Sequence, residues 1–559
     1  MPTFSYSIKE LEKLTGEKLS KLKEHFESLK LEEEIEGNEI VIEFKDANRP
    51  ELWAIEILAR ELRARLGKKV KDYSIEKSKW QINVDKELKH IRPYIAAIVI
   101  KNVNIDENFL KYLIQLQEAI AENYGRKRKQ VSIGIYDFDK VNWPVSYKAV
   151  KPDAIKFIPL DMDTELNLRQ ILKKHEKGIK YKHLLEGFEK YPILIDSSNN
   201  VLSFPPIINS NYSGKVEVGK RNLMVEVTGL QEDFVNHAMD IFARVFLERG
   251  YKVYSVAIDY GKEKKHYPEF KEIKVEVSKE AIDIAFAREL SKKDIENLAR
   301  RFLARVKFGK KLTFIYPSYR YDIKGQDDVV EDLLINYGYD KFKPKTHGIE
   351  EISHGSEARE HMLYRRIASI MASVGEEVLT GILSNPSFFR EMIRKKYKLV
   401  EVANPISQNY SALRNYIYPC HLHFLSLNKH VNLPIKIFEI GKVVKIVNAR
   451  GKDIENKEEK GEIKEEIHLA YTAIGPEITF TNAKQDLEFL FKNLGIKEYS
   501  IKPIEHESFI NGRIGSIIVN GKEIGFIGEI HPAVLSNFGL IYTTLVFEID
   551  LGFLLGESQ

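Results

Sequence analysis

The sequence predicts an α+β fold spread over several domains. Three observations carry that reading. The chain has 559 residues, too many for one hydrophobic core, and roughly three to five domains are expected at that length. Hydrophobic residues make up 43%, enough material for several cores. Stretches of helical and of alternating periodicity are intermixed along the chain.

The elements follow in order. Leu19, Leu22, Phe26 and Leu29 recur at helical spacing, and Asn38 to Phe44 alternates as a strand with Ile40, Ile42 and Phe44 on one face. In DANRPELWAIEILARELRARLG, Pro50 suits the first turn of a helix, where a missing N–H is no loss. Ile55, Leu58, Leu62 and Leu66 give that helix an apolar side, and Gly67 closes it. Tyr94 to Val103, Gln130 to Tyr136, LMVEVTG and KVYSVAID read as strands. Asn108 to Tyr124 and Gln231 to Arg249 read as helices, the latter ending at Gly250, and LSFPPIINS is irregular. KEIKVEVS is a strand followed by two helices. The second of these is capped by Ser291 and expected to run to Val306, with Leu298, Phe302 and Val306 in phase. Ser356 caps a further helix with Leu363, Ile367, Ile370, Met371 and Val374 on one side. Strands Ile435 to Val447 and Glu466 to Ile474 bracket the charged run ARGKDIENKEEKGEIKE, read as a solvated hairpin loop.

Composition narrows the function classes. Lys and Arg number 86 against 82 Asp and Glu, a net charge of +4, less basic than a dedicated duplex-DNA binder. No DNA partner is expected, and a local nucleic-acid patch remains allowed. Enrichment in Lys, Glu and Ile fits a hot-growing source, where ion-pair networks cost less. No apolar run reaches the roughly 18 residues of a membrane helix, and MPTFSYSIKELEKL has no secretory pattern. A single cysteine, Cys420, excludes an internal disulfide framework and a Cys-rich zinc site. A cytoplasmic setting without membrane contact is the expectation.

DANRPELW, GRKRKQVSIGIYDFD, SFPPIINS, PSYRYDIKGQDDVVEDLLINYGYD, FEIGKVV and GFIGEIHPAVL occur in this order. Together they resemble the beta subunits of phenylalanyl-tRNA synthetase, of the archaeal and eukaryotic type, over nearly the whole chain. The bacterial subunit's extra tRNA-binding barrel and C-terminal anticodon-binding domain have no counterpart here, which supports that subtype. The resemblance implies four domains: an N-terminal α/β domain (1–77), a mixed editing domain (78–268), a small helix-turn-helix-like domain with an acidic cluster (269–346), and a non-catalytic class II synthetase-like antiparallel sheet with helices (347–559). It implies an (αβ)2 heterotetramer with the alpha subunit. Alpha uses ATP to attach phenylalanine to tRNA(Phe), while beta contacts tRNA and hydrolyses mischarged tyrosyl-tRNA(Phe).

The residues themselves carry separate signals. Arg414 and Glu439 fall where an ATP-reading pair can sit, but no Gly-rich terminal motif follows; NGRIGSIIV places Arg513 before a strand. The fold without an ATP site is the expectation. Asp322, Asp328, Glu331 and Asp332 are spaced D-x5-D-x2-E-D. On a helix starting near Asp327 the last three share one face. So many like charges call for a metal or a basic partner, and hard oxygen ligands suit Mg²⁺. The other reading is that Asp327 and Asp328 complement a helix N-terminus. The resemblance implies Mg²⁺ shared with alpha at these four residues.

An apolar pocket rejects an added hydroxyl only about 10²-fold, so excluding tyrosine calls for a second, hydrolytic site. Asn209, Ser210, Glu226 and Thr228 are the pocket candidates, and His183 and His237 the possible bases. Each also has an ordinary reading as a turn, strand-end or surface residue. GRKRK concentrates cations beside a strand, and Arg126 and Arg128 are the candidates for RNA phosphates; a solvated basic turn is the alternative. For Arg49 in NRPELW the alternative is a structural role, tying the helix start to the strand before it. Two rival readings stand: an RNA-binding scaffold with an inactive editing site, and a free-standing deacylase.

Overall fold

The computed structural model describes residues 2–344, 358–448, 453–455 and 460–555. The chain forms two compact units, Met1–Lys345 and Thr346–Gln559. Among the described residues, no helix is long and apolar enough to cross a membrane.

The first unit is built around a mixed ten-stranded sheet. Its strands run Ile208–Asn209, Val201–Phe204, Tyr191–Ile195, Val145–Val150, Glu76–Val84, Val253–Asp259, Tyr94–Ile105, Gly219–Gly229 and Val131–Asp137, with Lys264–His266 added beside Val253–Asp259. Glu76–Val84 is parallel to both of its neighbours and the other pairs are antiparallel. The helix Glu232–Glu248 packs on this sheet and is buried on nearly all sides. Residues from 1–77 and from 78–268 share one hydrophobic cluster, running from Phe4 and Leu58 to Ile98 and Phe242.

The expected elements are mostly present, with local differences. Ile40, Ile42 and Phe44 are buried on the strand Glu39–Phe44. Leu19, Leu22, Phe26 and Leu29 are all buried, but the helix stops at Lys23 and a 3₁₀ turn, Glu27–Leu29, completes the set. The Pro50 segment is split: a 3₁₀ turn, Pro50–Trp53, precedes the helix Ile55–Arg65, with Ala54 extended between them. That helix is not amphipathic in the expected sense. Glu56, Arg60, Glu61 and Arg65 are buried as well and are satisfied by ion pairs, among them Arg65–Glu61 at 2.9 Å and Arg60–Glu248 at 2.8 Å.

A smaller three-stranded sheet, Ile273–Val277, Leu312–Tyr316 and Arg305–Phe308, carries the helices Lys279–Phe286, Lys292–Arg301 and Gln326–Tyr337. Ser291 caps the middle helix by accepting from Asp294 N–H. The expectation that this helix reaches Val306 is wrong. It ends at Arg301, Leu303 turns left-handed (φ 62°), and Val306 pairs with Phe314 in the sheet. Leu298, Phe302 and Val306 still meet one core, so burial alone did not distinguish helix from strand.

The second unit is a seven-stranded sheet in the order Glu376–Glu377, Ile435–Val447, Glu462–Ile474, Thr544–Asp550, Lys522–Ile530, Phe509–Val519 and Tyr499–Pro503. Only the first pair is parallel. The helices Ala358–Met371 and Phe480–Leu494 cover one face through Ile367, Met371, Leu487 and Leu490. Ser356 and most of the charged run after Val447 lie outside the described residues. Arg414 follows a two-residue strand, Ala412–Leu413, and Tyr418 and Pro419 then open the helix Tyr418–Leu427. Arg513 lies within its strand, not before it, and pairs with Glu529.

Candidate functional site

Strands from the two ends of the large sheet, Val131–Asp137 and Gly219–Gly229 at one end and Val201–Phe204 and Ile208–Asn209 at the other, build a recess. Its lining includes Gln117, Arg128, Ser132, Ser203, Asn209 and Glu226. Cross-strand pairing sets the register: Glu226 lies opposite Gly134, and Thr228 opposite Ser132. Gly134 is required by this packing, since a Cβ there would lie 2.5 Å from Glu226 Oε2 and 2.1 Å from Tyr136 Oη. The missing side chain leaves space in which the carboxyl and the phenol meet.

Glu226 is 2% exposed, and Tyr136 donates to it at 2.7 Å. Burial pushes the Glu226 carboxyl up to about 7, against the opposing pull of Tyr136 and Arg92. The same Tyr136 hydroxyl lies 3.4 Å from Asn209 Oδ1. Ser203 Oγ is buried at the recess beside Tyr136, with no hydrogen bond of normal geometry among the described residues. The recess is partly open and has about 50 Å³ of space, room for a few waters.

The four pocket candidates divide. Glu226 and Asn209 line the recess. Thr228 is fully buried and lies beneath it, its hydroxyl 3.0 Å from Ser132 Oγ and 2.9 Å from Arg92 Nε. Ser210 is the N-cap of the short helix Asn211–Gly214, accepting from Tyr212 N–H, and faces a neighbouring groove instead. Neither histidine lines the recess. His183 is exposed, and His237 is buried between Tyr124 Oη (2.8 Å) and Tyr319 O (2.9 Å). Sequence reasoning missed Gln117, Ser132, Tyr136 and Ser203. All but Gln117 lie inside the blocks QVSIGIYD and SFPPIINS, and alternation along those strands was the available signal.

The two arginines of GRKRK also separate. Arg126, Lys127 and Arg128 all take left-handed backbone (φ 49°, 53° and 64°). Backbone bonds such as Arg128 N–H to Ala121 O hold this costly turn. Arg126 is exposed. Arg128 turns inward, donating to Ile207 O at 2.7 Å and stacking over Tyr181; its buried Nε has no partner among the described residues.

The acidic cluster has a basic partner in its own chain. Arg320, 1% exposed, donates through Nη2 to Asp322 and to Asp332, 2.8 Å each. Burial pushes Asp322 up, but Arg320 and Arg49 outweigh it and hold the carboxyl at about 2. Asp328 accepts from Lys324 N–H (2.7 Å) and Gly325 N–H (2.8 Å) and so caps the helix Gln326–Tyr337. Glu331, half exposed, pairs with Lys30 at 3.2 Å. The four carboxylates therefore fit Mg²⁺ only in part. Asp322 gives both oxygens and Asp332 its Oδ2 to Arg320, which pairs with neither of the others, while Asp328 and Glu331 bond through one oxygen each. Arg49 is buried on Glu51 at 2.8 Å and Glu61 at 3.4 Å, so its ion pairs lie within the turn and helix that follow it and not with the strand before.

In the second unit, Arg414 is also locked. It is 1% exposed, and donates to Glu439 (2.7 Å), Thr380 Oγ1 (2.8 Å) and Lys442 O (2.9 Å). Gly441 leaves it room, since a Cβ there would lie 2.2 Å from Arg414 Nη2. Its Nε and Nη1 are committed to these partners. Glu466, His468 and Asp550 converge as metal ligands can, but His468 is held between Glu466 (2.9 Å) and Glu548 (2.7 Å), and Lys445 and Lys464 already pair with Glu466.

Comparison with known proteins agrees with the order of motifs. A family model described as the phenylalanyl tRNA synthetase beta chain CLM domain matches residues 344–551, and one described as the tRNA synthetase B5 domain matches 275–339. The chain is 38% identical over 565 residues to the phenylalanine–tRNA ligase beta subunit of Pyrococcus abyssi, covering 99% of both chains. Identity to the Methanocaldococcus jannaschii beta subunit is 37% over 563 residues, 99% of this chain and 100% of the other. A crystal structure of an N-terminal fragment of the phenylalanyl-tRNA synthetase beta subunit from Pyrococcus horikoshii aligns with a TM-score of 0.58 at 36% identity, over 60% of this chain and 100% of the fragment.

Proposed function

Since this chain belongs to the phenylalanine–tRNA ligase beta-subunit family, we propose that it acts with an alpha subunit, as an (αβ)2 heterotetramer in the cytoplasm, and clears tyrosine from mischarged tRNA(Phe). The observation that supports the editing reading is Glu226, a buried carboxyl at a recess whose other polar groups include the buried Ser203 hydroxyl. Phenylalanine offers such a group nothing, and a tyrosyl phenol offers it a proton to accept. A hydrogen bond to a charged group contributes about 1.5–3 kcal/mol, roughly 10- to 150-fold in selectivity.

In this reading Glu226 receives the phenol O–H, and Asn209 and Ser203 bound the same space. Water adds to the ester carbonyl carbon, the bond from that carbon to the ribose oxygen breaks, and the ribose oxygen takes the proton the water gives up. Tyrosine and free tRNA leave. No side chain is assigned as the base. Arg126 meets backbone phosphate on the exposed turn. Arg128 secures the recess wall through Pro206 and Ile207. Mg²⁺, which would supply positive charge at the contact with alpha, would be held by Asp328 and Glu331 with further ligands from alpha. ATP chemistry belongs to alpha, consistent with the locked Arg414.

The test is deacylation of tyrosyl-tRNA(Phe) and phenylalanyl-tRNA(Phe) by the αβ complex. Selective loss of the tyrosyl ester, reduced at least 10-fold by Glu226→Gln, is expected. A stable complex with no tyrosyl preference would overturn the editing reading and leave an assembly scaffold.

A further inference from the structure

Behind the recess sits a buried cation, Arg92. It is 3% exposed and makes no ion pair with a carboxylate among the described residues. Its guanidinium donates through Nε to Thr228 Oγ1 (2.9 Å), through Nη2 to Thr228 O (2.6 Å) and Ser132 Oγ (3.1 Å), and through Nη1 to Lys129 O (3.1 Å). Tyr147 Oη donates in turn to Arg92 O at 2.9 Å. A buried guanidinium without a carboxylate is costly. Arg49, Arg60, Arg65 and Arg320, buried in the same unit, all have one.

A guanidinium only donates, whereas a hydroxyl both donates and accepts. Thr228 Oγ1 and Ser132 Oγ each accept from Arg92 and lie 3.0 Å from one another. One of their two hydroxyl protons is used between them, so the pair has one proton left to give. Thr228 is fully buried while Ser132 lines the recess. Either hydroxyl can donate between the two: with Thr228 as that donor the remaining proton is on Ser132, at the recess beside the Glu226 acceptor on the neighbouring strand, and with Ser132 as that donor Thr228 gives it to Glu226.

We propose that Arg92 is a positioning residue for tyrosine recognition, polarising the Thr228–Ser132 hydroxyl pair so that Ser132 donates to the phenol oxygen whose proton Glu226 accepts. The recess then recognises both halves of a phenol O–H, and phenylalanine supplies neither. This rests on the editing reading above. Burial lowers Arg92 to about 10, so it stays charged at neutral pH and favours the ionised form of Glu226. The other groups facing Glu226 are Tyr136 and Thr228, with Arg128 and Lys177 lining the same recess.

The experiment compares Arg92→Lys and Arg92→Met in the αβ complex. Two readouts are taken: tyrosyl-tRNA(Phe) deacylation between pH 5.5 and 9, and the titration midpoint of Glu226, read as the pH dependence of the stability difference made by Glu226→Gln in each background. Circular dichroism confirms that each variant is folded. Arg92→Met is expected to slow deacylation at least 10-fold and to move both midpoints upward by about one pH unit. Arg92→Lys keeps the charge but not the fork, so its midpoints stay in place while its rate falls. An unchanged midpoint in Arg92→Met, or equal rate losses in both variants with neither midpoint moved, overturns the proposal. If wild type leaves the ester intact while the Glu226 midpoint still moves, the editing reading fails and the electrostatic role of Arg92 stands.

Discussion

Glu226→Gln is the substitution whose effect the structure sizes most directly. The carboxyl is 2% exposed and titrates near 7, against 4.5 when free. Below pH 4.5 the folded and unfolded chains both hold the proton, and the group contributes nothing. Above 4.5 the unfolded chain releases a proton that the folded chain keeps, so stability falls until the pH passes 7. Each pH unit between the unfolded and folded midpoints corresponds to about 1.4 kcal/mol, giving a penalty of about 3 kcal/mol at pH 8. Glutamine has nearly the same shape and cannot ionise. The variant is therefore expected to gain about 3 kcal/mol on wild type between pH 4.5 and pH 8. Guanidinium melts of both chains at the two pH values, following the transition of the first unit, measure this. A stability difference constant to within about 0.5 kcal/mol would refute the assignment of a carboxyl whose burial outweighs its partners. The same substitution should cost tyrosyl selectivity, so stability and function would move in opposite directions.

Four further outcomes are expected. Arg320→Met strands Asp322 and Asp332 and should cost about 3–5 kcal/mol; wild type should lose the Asp322 contribution only as the pH falls from about 4 toward 2, and a denaturation series on the acid side measures both. Glu331→Gln should leave the isolated chain within about 0.5 kcal/mol of wild type but weaken Mg²⁺-dependent assembly with alpha, and unchanged assembly across a Mg²⁺ titration would remove the shared cation. Arg126→Ala should reduce the salt dependence of tRNA affinity by about one phosphate contact, whereas Arg128→Ala should act on ester hydrolysis through the recess wall; filter binding at several salt concentrations separates them. This chain purified alone should show no phenylalanine-dependent ATP–pyrophosphate exchange, and robust exchange would show that Arg414 is not locked.

Much of the architecture was legible from local chemistry. Period-2 alternation placed the strand Glu39–Phe44, and Ser291 and Gly250 marked helix ends where the backbone requires them. The order of six motifs was enough to suggest the family, because each reflects a separate local constraint. Glu226 was a reasonable candidate because a carboxylate amid LMVEVTG stands out against apolar neighbours.

What the tertiary structure decided was pairing between residues distant in sequence. Asp322 to Asp332 read as a set of like charges needing a counter-ion, and only the fold shows that Arg320, within the same motif, supplies it to two of the four. Arg92 carries no local signal at all; it matters because antiparallel pairing brings Thr228 and Ser132 to its guanidinium, 136 and 40 residues away. Val306 stayed in the core while changing from helix to strand, since burial constrains which residues meet and not the backbone that brings them there. Periodicity reports which face of an element is apolar. Which charged groups face one another across that core depends on sheet order and register, and these are set by the whole chain.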